Sequence, residues 1–590
     1  MIYKKLSSLS EISKAQISKI LNSCSGLKDL VLDPKIIKPL ERICGIRWLK
    51  ANYVEKIFKL EDNIPNSSNP QFYFIYTSLS TLKKLLQQIR LRLKNDATVA
   101  DMYHIVIIPR FLYVFENMLE EMGLFGVVKL YSLQWQPLHL DRGILSLEIP
   151  NLYRRLFVQH DLSLLPIYAK SLWHLYFVIG KPRFHFALGA HSISVLKQLD
   201  TLYENLPNTD KVEADCGAVI MLDRNVDYVS ALLTPSTYTA LLNEVYGINC
   251  GVCEHKSTGT PEHDQKFNRI PKKEPIQIIL DSTNDSIYRD IKNRYFPEVT
   301  SILRTLTRDL RKEGENSRGM ALDEIKKYVS TQLQATASKM KYLANHLEAA
   351  QTIINHLGHR FEMQQDTEQL LIQNKGKSSN LAYLEEVLVT ENNRNAALRL
   401  LCLMAITQKL SDSEVKSFWQ KFLHEFGYYY GFVHNNLLRA GFLTEETSAS
   451  ANLPNIVSKF LTNDFYVNIN RLKQAPVDPA KVSLKAPTCC SYVFGGAYIP
   501  LIVQIASMIL CNTPLNEIKT KLEPLGPFSI RNEQGYPLEA RTILIYIVGG
   551  VTYSEIAACN LLETLTGSTI IVCSDKIISG NDLMEALTTV

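Results

Sequence analysis

Hydrophobic positions along this chain follow two rhythms. Short unbroken runs of β-branched and aromatic residues, "DLVLD" (29–33), "FYFIYT" (72–77) and "YHIVIIP" (103–109), are separated by segments long enough to be helices. Parallel βαβ units need that alternation, because a parallel strand pair requires a crossover of about a dozen residues or more. A doubly wound parallel sheet is predicted for the first third. The run "AVIMLD" (218–223) and two near the C-terminus, "TILIYIV" (542–548) and "TIIVCS" (569–574), read the same way. Two strands and one helix make no stable sheet alone, so the C-terminal pair is expected to join the strand near residue 220. A second α/β domain would then be built from two distant parts of the chain.

Between those parts the period becomes helical. Val299, Leu303, Leu306 and Leu310 form one apolar stripe; Ile325, Val329 and Leu333 form a second; Met340, Leu343, Leu347, Ala350 and Ile354 form a third. The polar stretch "EGENSRG" (313–319) is expected to turn between the first two. Helix packing accounts for any one stripe taken alone. Farther on, "NNRNAALRLLCLMAITQKLSDSEVKSFWQKFLHEFGYYYGFVHNNLLRAGFLT" predicts three or four short helices, with Gly441 ending one. The polar segment 256–274 reads as an exposed loop where domains meet.

Composition narrows the class. The chain has 590 residues, 46% hydrophobic and 21% charged, with a formal charge of +5. That is ordinary for a globular protein and gives no strong nucleic-acid footprint. The N-terminal "MIYKKLSSLSEISKAQISKI" lacks a signal-peptide core, and no stretch offers ~18 uninterrupted apolar residues for a membrane span. Eleven cysteines without regular spacing fit a reducing compartment better than a disulfide framework. A cytoplasmic protein is expected.

Candidate chemistry is sparse. In "VIMLDRNVDYVSALLTPSTYTALLNEVYG" (219–247), Asp223 ends a strand and Arg224 and Asp227 follow it. No Walker lysine loop or GxGxxG accompanies them, and an arginine flanked by carboxylates reads as a hydrogen-bonded pair that fixes a loop. Thr234 would cap a helix beginning at Pro235 and burying Tyr238, Leu241, Leu242 and Val245. In "IVGGVTYSEIAACNLL" (547–562), Gly549 and Gly550 could cradle an anion at a helix start, yet Thr552 and Glu555 have the spacing of a capping box, which needs no ligand. Cys250, Cys253, His255 and His263 make one incomplete zinc-like set, and His356 and His359 lack the HExxH glutamate. No GxSxG elbow is present. No metal or cofactor is called for. The class left open on chemistry alone is an α/β enzyme using Asp223 or the Gly549–Gly550 region.

"MLDRNVDYVSALLTPSTYTALLNEVYGI" and "IYIVGGVTYSEIAACNLL", far apart and in order, resemble the two signatures of the Sec/Munc (SM) family of SNARE-binding proteins. "YLANHLEAAQTII" and "YVFGGAYIPLIVQI" resemble its helical domain and the return to its sheet; "ALRLLCLMAIT" and "NNLLRAGFLTEE" resemble its vacuolar protein sorting branch, and "INCG" and "DLMEAL" the B-type of that branch. The resemblance implies a three-domain arch: an N-terminal α/β domain at 1–140, a second α/β domain split into 141–254 and 480–590, and a mainly helical domain at 255–479 with an extended hairpin at about 299–357. It also implies a protein that is not an enzyme, but holds syntaxin-type and vesicle-type SNARE helices for assembly on late endosomes and lysosomes. A class-C tethering partner with a helical solenoid would bring it to the membrane. Ile325, Val329, Leu333, Met340 and Leu343 would then lie on the SNARE-facing or hairpin-packing seam, and Tyr428 and Phe432 on the solenoid-partner surface. Many members carry a proline near Gln334 and a larger apolar residue at Gly431, where this chain departs. A scaffold that binds the solenoid partner without engaging SNAREs is the remaining alternative.

Overall fold

The computed structural model describes residues 2–61, 68–95, 103–205, 214–255, 276–316, 333–358, 360–390, 393–443 and 465–589. The predicted N-terminal strands form with two more beside them: β1 (Lys28–Leu32), β2 (Val54–Lys59), β3 (Gln71–Tyr76), β4 (Tyr103–Ile108) and β5 (Val128–Ser132). They lie in the order β2-β1-β3-β4-β5, and every neighbouring pair is parallel. All residues of β3 and β4 are buried, as in strands covered on both faces. Alternation divides them between two cores. Val31, Tyr73, Ile75, Ile105 and Ile107 pack on Leu82, Leu85, Leu86 and Ile89 of helix Leu79–Asn95 and on Phe115 and Leu119 of helix Tyr113–Glu121. The intervening Leu30, Leu32, Phe72, Phe74, Val106 and Ile108 join the core that runs through the rest of the molecule.

The second sheet takes strands from both ends of a long interval. β6 (Leu138–Asp141), β7 (Ile144–Ser146), β8 (Phe184–Leu188) and β9 (Ala218–Asp223) come first. A small antiparallel sheet of β10 (Ile248–Asn249), β11 (Val252–His255) and β12 (Ile276–Ile279) follows, and β13 (Phe528–Asn532), β14 (Thr542–Val548) and β15 (Thr569–Ser574) return near the end. The order is β13-β8-β9-β14-β15-β7-β6, with β14 held in parallel register between β9 and β15. The sheet is parallel only through its middle five strands, since β13 and β6 are antiparallel edges. Two expected boundaries shift accordingly. A division after 140 cuts β6, and one after 254 cuts β11, whose partner β12 lies beyond it.

Segment Leu162–Ile179 is long and apolar enough on average to cross a membrane, although Lys170, Ser171 and His174 interrupt its apolar run. It is a core element here: Ile167, Tyr168, Leu172, Leu175, Tyr176 and Ile179 are fully buried. Residues 256–274, the predicted loop, lie outside the described residues. The helical block supplies helices Arg394–Gln408, Asp412–Phe426 and Gly431–Ala440, the last ended by Gly441 in the left-handed region (φ 85°), as a C-terminal glycine commonly does.

Candidate functional site

The end of β9 is a junction. The Asp223 carboxylate accepts the backbone N–H groups of His191 and Ser192 (both 2.8 Å), at the first turn of helix Ala190–Asn205. Those amides have no partner inside their own helix, and a carboxylate there also meets the positive end of the helix dipole. Burial pushes the Asp223 carboxyl pKa up, and the His191 charge and the Ser192 and amide donors offset only part of that. Gly189 is required by this contact: at φ 111° a Cβ would stand 2.3 Å from Asp223 Cγ. Asp227 serves two further helix starts, accepting the N–H of Ser230 (3.1 Å) and of Leu501 (2.9 Å), with the Tyr498 hydroxyl at 3.1 Å.

Arg224 does not pair with the carboxylates beside it in sequence. Its guanidinium, fully buried, donates to both carboxylate oxygens of Glu555 (2.8 and 3.0 Å) and to the carbonyls of Gly550 and Asp227. Glu555 in turn accepts the Thr552 N–H (2.9 Å), while Thr552 Oγ1 accepts the Glu555 N–H (3.2 Å), a reciprocal capping box on helix Tyr553–Thr566. The clasp therefore joins the first α/β segment to the last one. The arginine's true partner lies beyond the reach of local sequence reasoning.

Gly549 and Gly550 do cradle an anion, and it belongs to the protein. Their N–H groups donate to one oxygen of Asp575 (2.8 and 3.0 Å). Both glycines have φ near 100°, and a Cβ would meet Phe157 at 2.5 Å or Ile578 at 2.7 Å. Burial lifts the Asp575 carboxyl to about 6 despite those donors. The helix expected to start at Pro235 starts instead at Tyr238, with Thr237 before it. Thr234 is drawn away: its N–H and hydroxyl both donate to Glu368 (2.7 and 2.6 Å) of helix Arg360–Ile372. Tyr238, Leu241 and Leu242 are buried and Val245 is half-buried. Cys250 and Cys253 are buried thiols; burial pushes Cys253 up to about 12 and Cys250 higher still, with the Cys250 thiol donating toward Glu148. His263 and His359 lie outside the described residues.

The hairpin arms are helices Phe296–Asn316 and Leu333–Leu357. The first continues through 313–316, so the expected turn does not begin at 313. Val299 and Leu303 are buried and Leu306 and Leu310 are half-buried against the core. Ile325 and Val329 lie outside the described residues; Leu333 opens the second arm, and Gln334 is helical. The second arm turns inward on Leu343, His346, Ala349, Ala350 and Ile353, a line rotated from the predicted stripe, of which Leu343 and Ala350 are buried, Leu347 is half-buried, and Met340 and Ile354 are exposed. His346 occupies an inner position that the predicted stripe does not include. Fully buried, it meets the Tyr238 hydroxyl at Nδ1 (2.8 Å) and Asp285 Oδ2 at Nε2 (2.9 Å), and it stacks on Tyr288. Since a carboxylate can only accept, Nε2 donates to Asp285, and Nδ1 shares the second hydrogen bond with the Tyr238 hydroxyl. A histidine on the buried face is invisible to hydrophobic periodicity.

The rotation frees another row. Met340 (45% exposed), Ala344, half-buried Leu347, Gln351 and Ile354 (43% exposed) recur at alternating intervals of four and three along the outer side of the arm. Elsewhere, Tyr428 is 82% and Tyr429 69% exposed, with half-buried Phe432 in edge contact with Tyr429. Arg394 pins the neighbouring Tyr430 through its hydroxyl (2.6 Å) and ring. Nothing lies within 4 Å of a Cβ built on Gly431, so packing does not require glycine there.

A model of the Sec1 family matches residues 28–586. Vacuolar protein sorting-associated protein 33B of Homo sapiens is 26% identical to this chain, the alignment covering 99% of the chain and 97% of the relative. Vacuolar protein sorting-associated protein 33A of Rattus norvegicus is also 26% identical, with the same coverage. Among solved structures, the SM protein Vps45 in complex with the Qa SNARE Tlg2 matches with a TM-score of 0.60 at 14% identity, over 98% of this chain and 97% of that one. A chain of the Unc18–syntaxin 1 complex from Monosiga brevicollis matches at 0.58 and 13%, over 98% and 99%. The fold is that of these SM proteins.

Proposed function

Because this chain belongs to the Sec1 family, we propose that it is a regulator of vesicle docking and fusion that binds SNARE helices and templates their assembly in endosomal and lysosomal traffic. The observation that carries this reading is the outer row Met340, Ala344, Leu347, Gln351 and Ile354. Its four–three spacing is the seam of a coiled coil, and SNARE motifs are amphipathic helices that need such a seam. A helix anchored by His346 offers the row on a rigid support, which lowers the ordering cost when a partly assembled SNARE bundle docks. Leu343 packs the arm and Met340 faces the partner.

The protein acts without cofactor or turnover. The enzyme alternative gains nothing from Asp223 or Gly549–Gly550, whose polar groups are matched with protein donors and acceptors. Tyr428 and Phe432 form the contact with a class-C solenoid subunit, and that subunit carries the protein to late endosome and lysosome membranes. Titration of purified protein with syntaxin-type and vesicle-type SNARE motifs, with and without that subunit, tests the reading. Met340→Asp combined with Ile354→Asp should weaken SNARE binding at least tenfold while leaving the melting temperature and subunit binding unchanged. Wild-type protein that binds the subunit and neither SNARE class would leave only the scaffold reading.

A further inference from the structure

Helix Leu79–Asn95 covers the outer face of the five-stranded sheet. Its inner side is apolar, with Leu82, Leu85, Leu86 and Ile89 fully buried. Its sequence, "LSTLKKLLQQIRLRLKN", holds five cations, Lys83, Lys84, Arg90, Arg92 and Lys94, and no acid. The whole chain carries a formal charge of +5, so outside this helix the lysines and arginines match the 59 acids one for one. The excess is local.

Geometry gathers it on one side. Lys83, Gln87, Arg90 and Lys94 recur at i, i+4, i+7 and i+11, and Lys84 and Leu91 lie beside that line; all six are exposed, Leu91 at 63%. The four exposed cations have no ion-pair partner among the described residues, including the acids Glu116, Glu120 and Glu121 of the adjacent helix Tyr113–Glu121. At ~1.5 Å per residue the row from Lys83 to Lys94 extends roughly 16 Å. It is a straight cationic strip with one large apolar side chain projecting from it.

We propose that this strip docks the N-terminal domain on an anionic lipid bilayer. Charge complementarity selects an anionic surface, and the shape selects a flat one. Three of the four exposed cations are lysines, mobile point charges suited to many dispersed headgroups more than to one forked acceptor. Leu91 can enter the headgroup boundary while its neighbours remain at the surface, the arrangement of an interfacial helix. Each cation near such a surface strengthens binding several-fold, and the attraction fades within a Debye length.

Vesicle flotation of the full chain, with no SNARE or subunit present, tests this apart from the preceding proposal. Vesicles of phosphatidylcholine with phosphatidylserine should capture the protein, phosphatidylcholine alone should not, and 0.5 M salt should release it. Reversal of the four cations (Lys83→Glu, Lys84→Glu, Arg90→Glu, Lys94→Glu), in protein whose melting temperature is unchanged, should weaken capture at least a hundredfold. Leu91→Ser should weaken vesicle capture a few-fold and leave binding to polyglutamate unchanged. Equal capture by neutral vesicles, undiminished capture of the reversed variant, or polyglutamate binding as tight as vesicle binding would overturn the proposal.

Discussion

Arg224→Met preserves most of the side chain's volume but leaves Glu555 without its cationic partner in a site where neither residue is more than 1% exposed. Breaking a buried pair from one side costs about 3–5 kcal/mol, because the remaining charge keeps its desolvation penalty. Urea unfolding of Arg224→Met should show a loss of that order, and adding Glu555→Gln should restore part of it. Asp575 gives a pH effect of defined sign. Burial lifts its carboxyl from 3.8 to about 6 in the folded chain, so between about pH 4 and 6 the native state binds more protons than the unfolded one. Its contribution to stability therefore falls as pH rises through that window, by up to ~3 kcal/mol. Asp575→Asn still accepts from Gly549 and Gly550 and should show a shallower loss of stability from pH 4 to 6 than wild type in parallel urea titrations. The clasp was partly legible: "DRNVD" at a strand end marked a structural junction, and Thr552 with Glu555 marked a cap. The Arg224–Glu555 bond was not, because residues over three hundred positions apart share no periodicity for one sequence to display.

The hairpin's second arm shows how a helix can be assigned correctly and rotated wrongly. Counting apolar residues gave 340, 343, 347, 350 and 354, whereas the buried line passes through 343, 346, 350 and 353, with a hydrogen-bonded histidine at an inner position. His346→Ala should cost about 2–4 kcal/mol in denaturant, since it leaves Tyr238 and Asp285 buried without their partner and opens a cavity. Hydrogen exchange should then quicken first along Leu333–Leu357. Met340→Ser, on the exposed outer row, should change stability by less than about 0.5 kcal/mol. The strands divide in the same manner. β3, β4, β9, β14 and β15 were readable as continuous apolar runs, being covered on both faces. Edge strand β2, "VEKIFK", is largely exposed and carries charge, and β13 is half-exposed throughout; neither gives the chain an apolar signal.

The two large sheets differ in how they depend on the rest of the chain. The first takes all five strands from residues 28–132, whereas the second has β14 and β15 inserted between β9 and β7. A chain ending at residue 527 should keep the first sheet protected in limited proteolysis and lose protection across residues 184–223, where β9 would lack its inner neighbour. Equal protection of both regions would mean that the second sheet closes without its late strands.

That insertion also sets a timetable at the ribosome. β9 ends at Asp223 and β14 begins at Thr542, so at about 5–20 residues per second roughly 15–60 s separate the emergence of the two. Throughout that interval the nascent polypeptide presents a hydrophobic strand with one unpaired edge, a target for chaperones and for neighbouring copies on the same messenger. The long helical insertion is complete before the sheet it interrupts can close.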